Sequence, residues 1–126
     1  MAIYFTLKEM TKSQTAKLYH IDNTPTEKVI GNLKKVMYIL DMIRTYIGKP
    51  ILINSGYRCQ KLNEIVGGVQ NSMHTKGLAA DFRTREKEDI NTMFEFLKKN
   101  QKDFKIKELI NYKTFIHMGV SEILTI

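Results

Sequence analysis

The chain has 126 residues, 43% hydrophobic and 26% charged, with one cysteine and a formal net charge of +7. That length suits one hydrophobic core and is short for two, so residues 1–126 are expected to form a single domain of ordinary globular composition. A lone Cys59 excludes an internal disulfide framework and a cysteine-based zinc cluster, no apolar run approaches the ~20 residues needed to cross a bilayer, and the opening MAIYFTLKEM lacks a basic-then-apolar export pattern.

The lysines are scattered, with only short pairs adjoining. The excess charge therefore reads as solubility, or as a fit to an anionic polymer, rather than as specific nucleic-acid recognition, which calls for a basic stretch interleaved with aromatics. There is no internal repeat, low-complexity segment or long linker.

In chain order, the first clear element lies in NTPTEKVIGNLKKVMYILDMIRTYIGKP. Thr24 is the expected N-cap, Pro25 suits the first helical position and Glu27 completes a capping box. Val29, Leu33, Val36, Leu40, Ile43 and Ile47 recur at helical spacing as a buried stripe, and Gly48 and Pro50 end the helix. His20 falls between a short helix and the DNTP turn and reads as a surface residue. ILIN (51–54) is a short β-like run, and SGYRCQKLNEIVGG turns into a brief helix closed by Gly67 and Gly68. LAADF predicts a second strand. Residues 86–99 predict an amphipathic helix with Ile90, Met93, Phe94 and Leu97 inward, acids at its start and Lys98 and Lys99 at its end. IKELIN and TFIHMGV predict a hairpin turning near Tyr112 and Lys113. Helices and short antiparallel strands segregate instead of alternating, which predicts an α+β fold: a small antiparallel sheet packed against helices.

The chemistry concentrates in SMHTKGLAADF, where His74 and Asp81 flank small residues that let the backbone pack closely. Two such donors and a third from elsewhere make a metal site with an open position for water. His117, in FIHMGV, is a histidine in an otherwise apolar strand. Strand alternation puts Phe115, His117 and Gly119 on one face and Ile116, Met118 and Val120 on the other, and the small Gly119 leaves room beside the imidazole for a ligand or substrate. Singly, each is weak: an isolated histidine in an apolar strand is more often a hydrogen-bonded core residue. Two histidines and a carboxylate suit zinc, and with open positions they equally suit ferrous iron.

The run SGYRCQKLNEIVGGVQNSMHTKGLAADF closely resembles the zinc D-Ala-D-Ala carboxypeptidase family, which includes vancomycin-resistance dipeptidases, phage endolysin peptidases and the hedgehog signalling domain. The matching pieces are Ser55-Gly56-Tyr57-Arg58, Leu62-Asn63, Val66-Gly67-Gly68, Ser72 and His74, Gly77, Ala79 and Asp81, and the late His117, and the similarity spans roughly residues 3 to 120. The resemblance implies zinc as the metal and His74, Asp81 and His117 as its ligands. It implies an Arg58 that faces the substrate carbonyl and steadies the developing oxyanion, with a loop-holding salt bridge as the alternative. Ser72 matches a serine near the substrate peptide, and closing the loop by a backbone hydrogen bond is its other role. Tyr57 and Asn63 read as structural.

The implied activity is zinc-dependent hydrolysis of peptide bonds in bacterial peptidoglycan, whether as an exo- or an endopeptidase. The sequence departs from the family where a glutamate usually precedes the last histidine: NYKTFIH has none, and the nearest upstream acid is Glu108. Glu108 is the leading candidate for proton acceptor, and Tyr112 is the candidate for a transition-state donor. The alternative is a zinc-containing binding domain of the same fold without turnover. The expected partner is a peptidoglycan peptide acted on by a monomer made in the cytoplasm, which reaches the cell wall on release or in a virion.

Overall fold

The computed structural model describes residues 3–122. Two short helices open the chain, α1 (Leu7–Thr11) and α2 (Gln14–Leu18). α1 begins with a capping box, in which the Thr6 side chain accepts from Glu9 N–H while Glu9 accepts from Thr6 N–H.

The long helix α3 (Glu27–Ile47) starts later than the sequence predicts: its N-cap is Thr26, whose hydroxyl accepts from Val29 N–H. Thr24 is instead drawn into a local turn ahead of the helix. Its N–H donates to the Asp22 carboxylate, and that local turn holds Asp22 below the ordinary carboxylate range. The C-terminus is as expected, with Gly48 left-handed at φ +69. Leu33, Val36, Leu40 and Ile43 are fully buried, while Val29 and Ile47 pack at the margins of the core.

Strands β1 (Leu52–Ser55), β2 (Ala79–Arg83), β3 (Ile106–Asn111) and β4 (Ile116–Val120) form one antiparallel sheet in the order β1-β2-β4-β3. Between β1 and β2 lie α4 (Gln60–Ile65) and a 3₁₀ turn at Met73–Lys76. α5 (Glu88–Lys99) joins β2 to β3 and buries Ile90, Met93 and Leu97, and a Lys49 to Asp89 ion pair at 2.9 Å ties its first turn to the segment after α3. The expected α+β architecture is what the chain adopts. The hairpin turns where predicted, with Lys113 left-handed and its N–H on Asn111 Oδ1.

One sheet face packs on the helices through Ala80, Phe82, Ile116, Met118 and Val120, all buried. The other face carries Asp81 opposite His117 in register. Two bulges adjust what stands beside that pair. Ile53 pairs with Phe82 but Ser55 with Asp81, leaving Asn54 as an extra residue in β1. Ile106 pairs with Val120 but Glu108 with Gly119, leaving Lys107 extra in β3. Each extra residue reverses the in-and-out phase of its strand, so Ser55 and Glu108 join the face of Asp81 and His117.

Candidate metal centre

His74 comes from the 3₁₀ turn. Ser72 caps it, with its hydroxyl oxygen accepting from His74 N–H at 3.1 Å, and Gly77 ends it at φ +72. A methyl group on Gly77 would stand 2.7 Å from Val29 Cγ1 and 2.9 Å from Val29 O, so glycine lets the loop lie directly on α3. Asn32 of α3 fastens it by donating to the Lys76 carbonyl at 2.9 Å. This is the close packing that the small residues foreshadow.

His74 is 2% exposed, and its Nδ1 lies 2.7 Å from the Gly56 carbonyl oxygen. A carbonyl only accepts, so Nδ1 carries a proton, and in the neutral ring that a metal requires Nε2 would present the lone pair. That Nε2 is 3.3 Å from Asp81 Oδ1, and His117 Nδ1 is 2.7 Å from the same oxygen. One donor atom from each of His74, Asp81 and His117 lies within 4.8 Å of the other two. Tetrahedral donors at about 2.0–2.1 Å from a metal stand about 3.3 Å from one another, so the donor types and spacing fit a divalent ion.

Burial would raise the Asp81 pKa, but hydrogen bonds from His117 and His74 and their charge outweigh it and hold the carboxyl at about 2. The Asp81 hydrogen bond raises His117 above its ordinary value, with Glu108 adding to it against burial. The other nitrogen of His117, Nε2, lies 2.8 Å from Glu108 Oε1. The space beside Gly119 is filled from within the chain: a methyl group there would stand 2.7 Å from Met73 Sδ and 2.9 Å from Glu108 Oε1. Sequence reasoning leaves that space for a ligand, because the bulge that swings Glu108 into it has no sequence period.

Arg58 follows β1 and is tied to the His74 loop by its N–H on the His74 carbonyl at 3.1 Å. Its side chain is half-buried, Nε is buried without a hydrogen-bond partner among the described residues, and no carboxylate there lies within ion-pair distance. Burial lowers its pKa and the charge of Asp81 opposes that. Tyr112 stands in the hairpin turn with its ring stacked on Phe115 at 4.8 Å, and it makes no hydrogen bond to the triad among the described residues. His20 is exposed, as expected.

Two groups that build the site escape sequence reasoning. The Gly56 carbonyl is main chain and leaves no residue-type signal. Asn23 clamps the segment leading to Arg58, its amide donating to the carbonyls of Thr11 and Tyr57 and its oxygen accepting from Cys59 N–H at 2.7 Å. In sequence it is only another turn asparagine. A cleft of about 620 Å³ lined by Ser13, Gln14, Ser55, Tyr57 and Arg58 runs beside β1, and it reaches the metal-binding set through Ser55, paired with Asp81, and Arg58, bonded to the His74 carbonyl. No described helix is long and apolar enough to cross a membrane.

A family model described as Peptidase M15 matches residues 3–119, which bears out the resemblance carried by the sequence motifs. No curated protein matches the chain.

Proposed function

The chain belongs to the Peptidase M15 family, of the zinc D-Ala-D-Ala carboxypeptidase type, and from that premise we propose that it is a zinc peptidase that hydrolyses peptide bonds in bacterial peptidoglycan. The observation that carries this reading is the convergence of His74 Nε2 and His117 Nδ1 on Asp81 Oδ1, with the outer nitrogen of His74 already fixed by Gly56. His74, Asp81 and His117 hold the zinc. A zinc ion there supplies a Lewis acid that polarises a carbonyl and makes water a nucleophile near neutral pH.

Arg58 brings a guanidinium to the edge of the site with Nε unbonded among the described residues, so its planar fork can meet an oxyanion developing on the scissile carbonyl. Among the described residues no carboxylate lies within ion-pair distance of Arg58, which favours that role over a loop-holding salt bridge. Ser72 holds the turn that carries His74. The cleft beyond Arg58 takes the peptide as it leaves the site, along polar groups of Ser13, Gln14 and Ser55. Tyr112 offers a phenol from the hairpin for the departing amine.

Purified cell walls of differing stem-peptide composition, incubated with the zinc-loaded protein, test the proposal. Release of new amine termini is expected, and it should vanish with chelator and in Asp81→Ala. A protein that binds zinc and cell walls but releases amines from none of them would establish a binding domain in place of the peptidase.

A further inference from the structure

Both histidines of the triad are gripped at the nitrogen that faces away from Asp81. For His74 the grip is the Gly56 carbonyl on Nδ1 at 2.7 Å, and for His117 it is Glu108 Oε1 on Nε2 at 2.8 Å. The two rings use opposite nitrogens toward the carboxylate, Nε2 of one and Nδ1 of the other. Each ring is therefore fixed in rotation by a contact at both of its nitrogens.

We propose that Glu108 is a positioning residue for His117, holding the imidazole with its Nδ1 toward the metal, instead of serving as the proton acceptor of the hydrolysis. The inference rests on the metal reading above. A ligand nitrogen must be unprotonated, so with metal on Nδ1 the ring proton resides on Nε2 and is donated to Glu108. A carboxylate acting as base has to face the attacking water, on the side of the ring where the donors converge. The engaged oxygen of Glu108 lies across the imidazole from Asp81.

The backbone is arranged for this contact. Were Lys107 paired regularly opposite Gly119, continuous pairing from Ile106 opposite Val120 would set Glu108 opposite Met118, whose side chain is fully buried on the core face. The bulge moves Glu108 one position, opposite Gly119. The glycine then leaves the carboxylate its path, since a methyl group there would stand 3.2 Å from Glu108 Cβ as well as 2.9 Å from Oε1. A bulge, a glycine and a carboxylate thus serve one hydrogen bond on a ligand ring.

Cobalt(II), which reports its ligand field by visible absorption, is the probe. Metal-free wild type, Glu108→Gln, Glu108→Ala and Gly119→Ala are titrated with it at pH 7, each checked for native circular dichroism. Glu108→Ala should bind cobalt about 10- to 100-fold more weakly, the usual cost of losing a ligand's outer partner. Glu108→Gln, whose amide oxygen still accepts from Nε2–H, should stay within a few-fold of wild type in cobalt affinity. Gly119→Ala, which displaces the carboxylate and leaves it intact, should weaken binding in the same direction as Glu108→Ala. Equal cobalt affinity in wild type and Glu108→Ala, with cell-wall cleavage lost in Glu108→Gln, would overturn the inference and make Glu108 the base. A wild type that takes up no cobalt would overturn the metal reading itself, and this inference with it.

Discussion

Adding one methyl group, in Gly56→Ala, probes how the His74 loop is held to the rest of the chain. An ideal Cβ at residue 56 overlaps the Met10 carbonyl oxygen and stands 2.9 Å from the Met10 carbonyl carbon and 3.0 Å from its Cα. All three atoms are main chain, so no rotamer change relieves the clash and α1 has to move away. That movement breaks the hydrogen bond from Tyr57 N–H to Met10 O, 2.7 Å long. Losing one such bond costs about 1 kcal/mol and overpacking a tight site about 1–3 kcal/mol, for a total of about 2–4 kcal/mol. For a domain of this size that is a fall of roughly 10 °C in Tm. The Gly56 carbonyl also fixes the His74 tautomer, so cobalt affinity should fall about 10-fold or more in the same variant. Urea melts of the metal-free protein and a cobalt titration measure the two effects. A variant within about 0.5 kcal/mol of wild type, the range of an inert surface change, would refute the reasoning.

Metal-free and zinc-loaded protein should respond to pH with opposite sign. His117 is raised above its ordinary 6.5 in the folded, metal-free state, so its contribution is complete below about pH 6.5 and is lost as pH rises through the raised value. The metal-free Tm should therefore fall above pH 6.5, while the zinc-loaded Tm rises there because zinc competes with the proton for histidine; parallel melting curves would exclude His117 as a ligand. On the acid side, Asp81 at about 2 contributes fully above its ordinary 3.8 and loses that contribution as pH falls toward 2, to be read as a decline in metal-free Tm over that span. Arg58→Lys should keep zinc content and melting behaviour while kcat falls about 10²- to 10³-fold, since a lysine retains the charge without the two-donor fork; undiminished cell-wall cleavage would make Arg58 a structural residue.

Much of this was legible because it repeats with a period. The stripe of α3, the inward residues of α5 and the alternation of β4 follow from spacing alone, and His117 lies on the face its alternation assigns. What escaped is what breaks a period. Glu108 has no assignable side in IKELIN, because the extra Lys107 is a property of the ladder with β4 and not of the strand by itself. The helix α3 starts two residues later than its sequence predicts because Thr24 and Thr26 are equally good caps as residue types, and the turn that captures Thr24 depends on Asp22. The capping box of Thr6 and Glu9 is local, and Thr-x-x-Glu is its signature in the sequence.

The central place of β2 and β4 in the sheet bears on when the metal can act during folding. Asp81 and His117 meet only after those two strands pair, across α5, β3 and the hairpin turn, and His74 joins them only once its turn has docked on α3 and on the Gly56 carbonyl. Contacts this distant in sequence form late, since loop closure has to be met before they stabilise anything. A bound ion consequently has little to hold in the transition state and a complete site to hold in the native one. Its effect falls on the rate of unfolding, lengthening the life of the folded chain without hastening its formation.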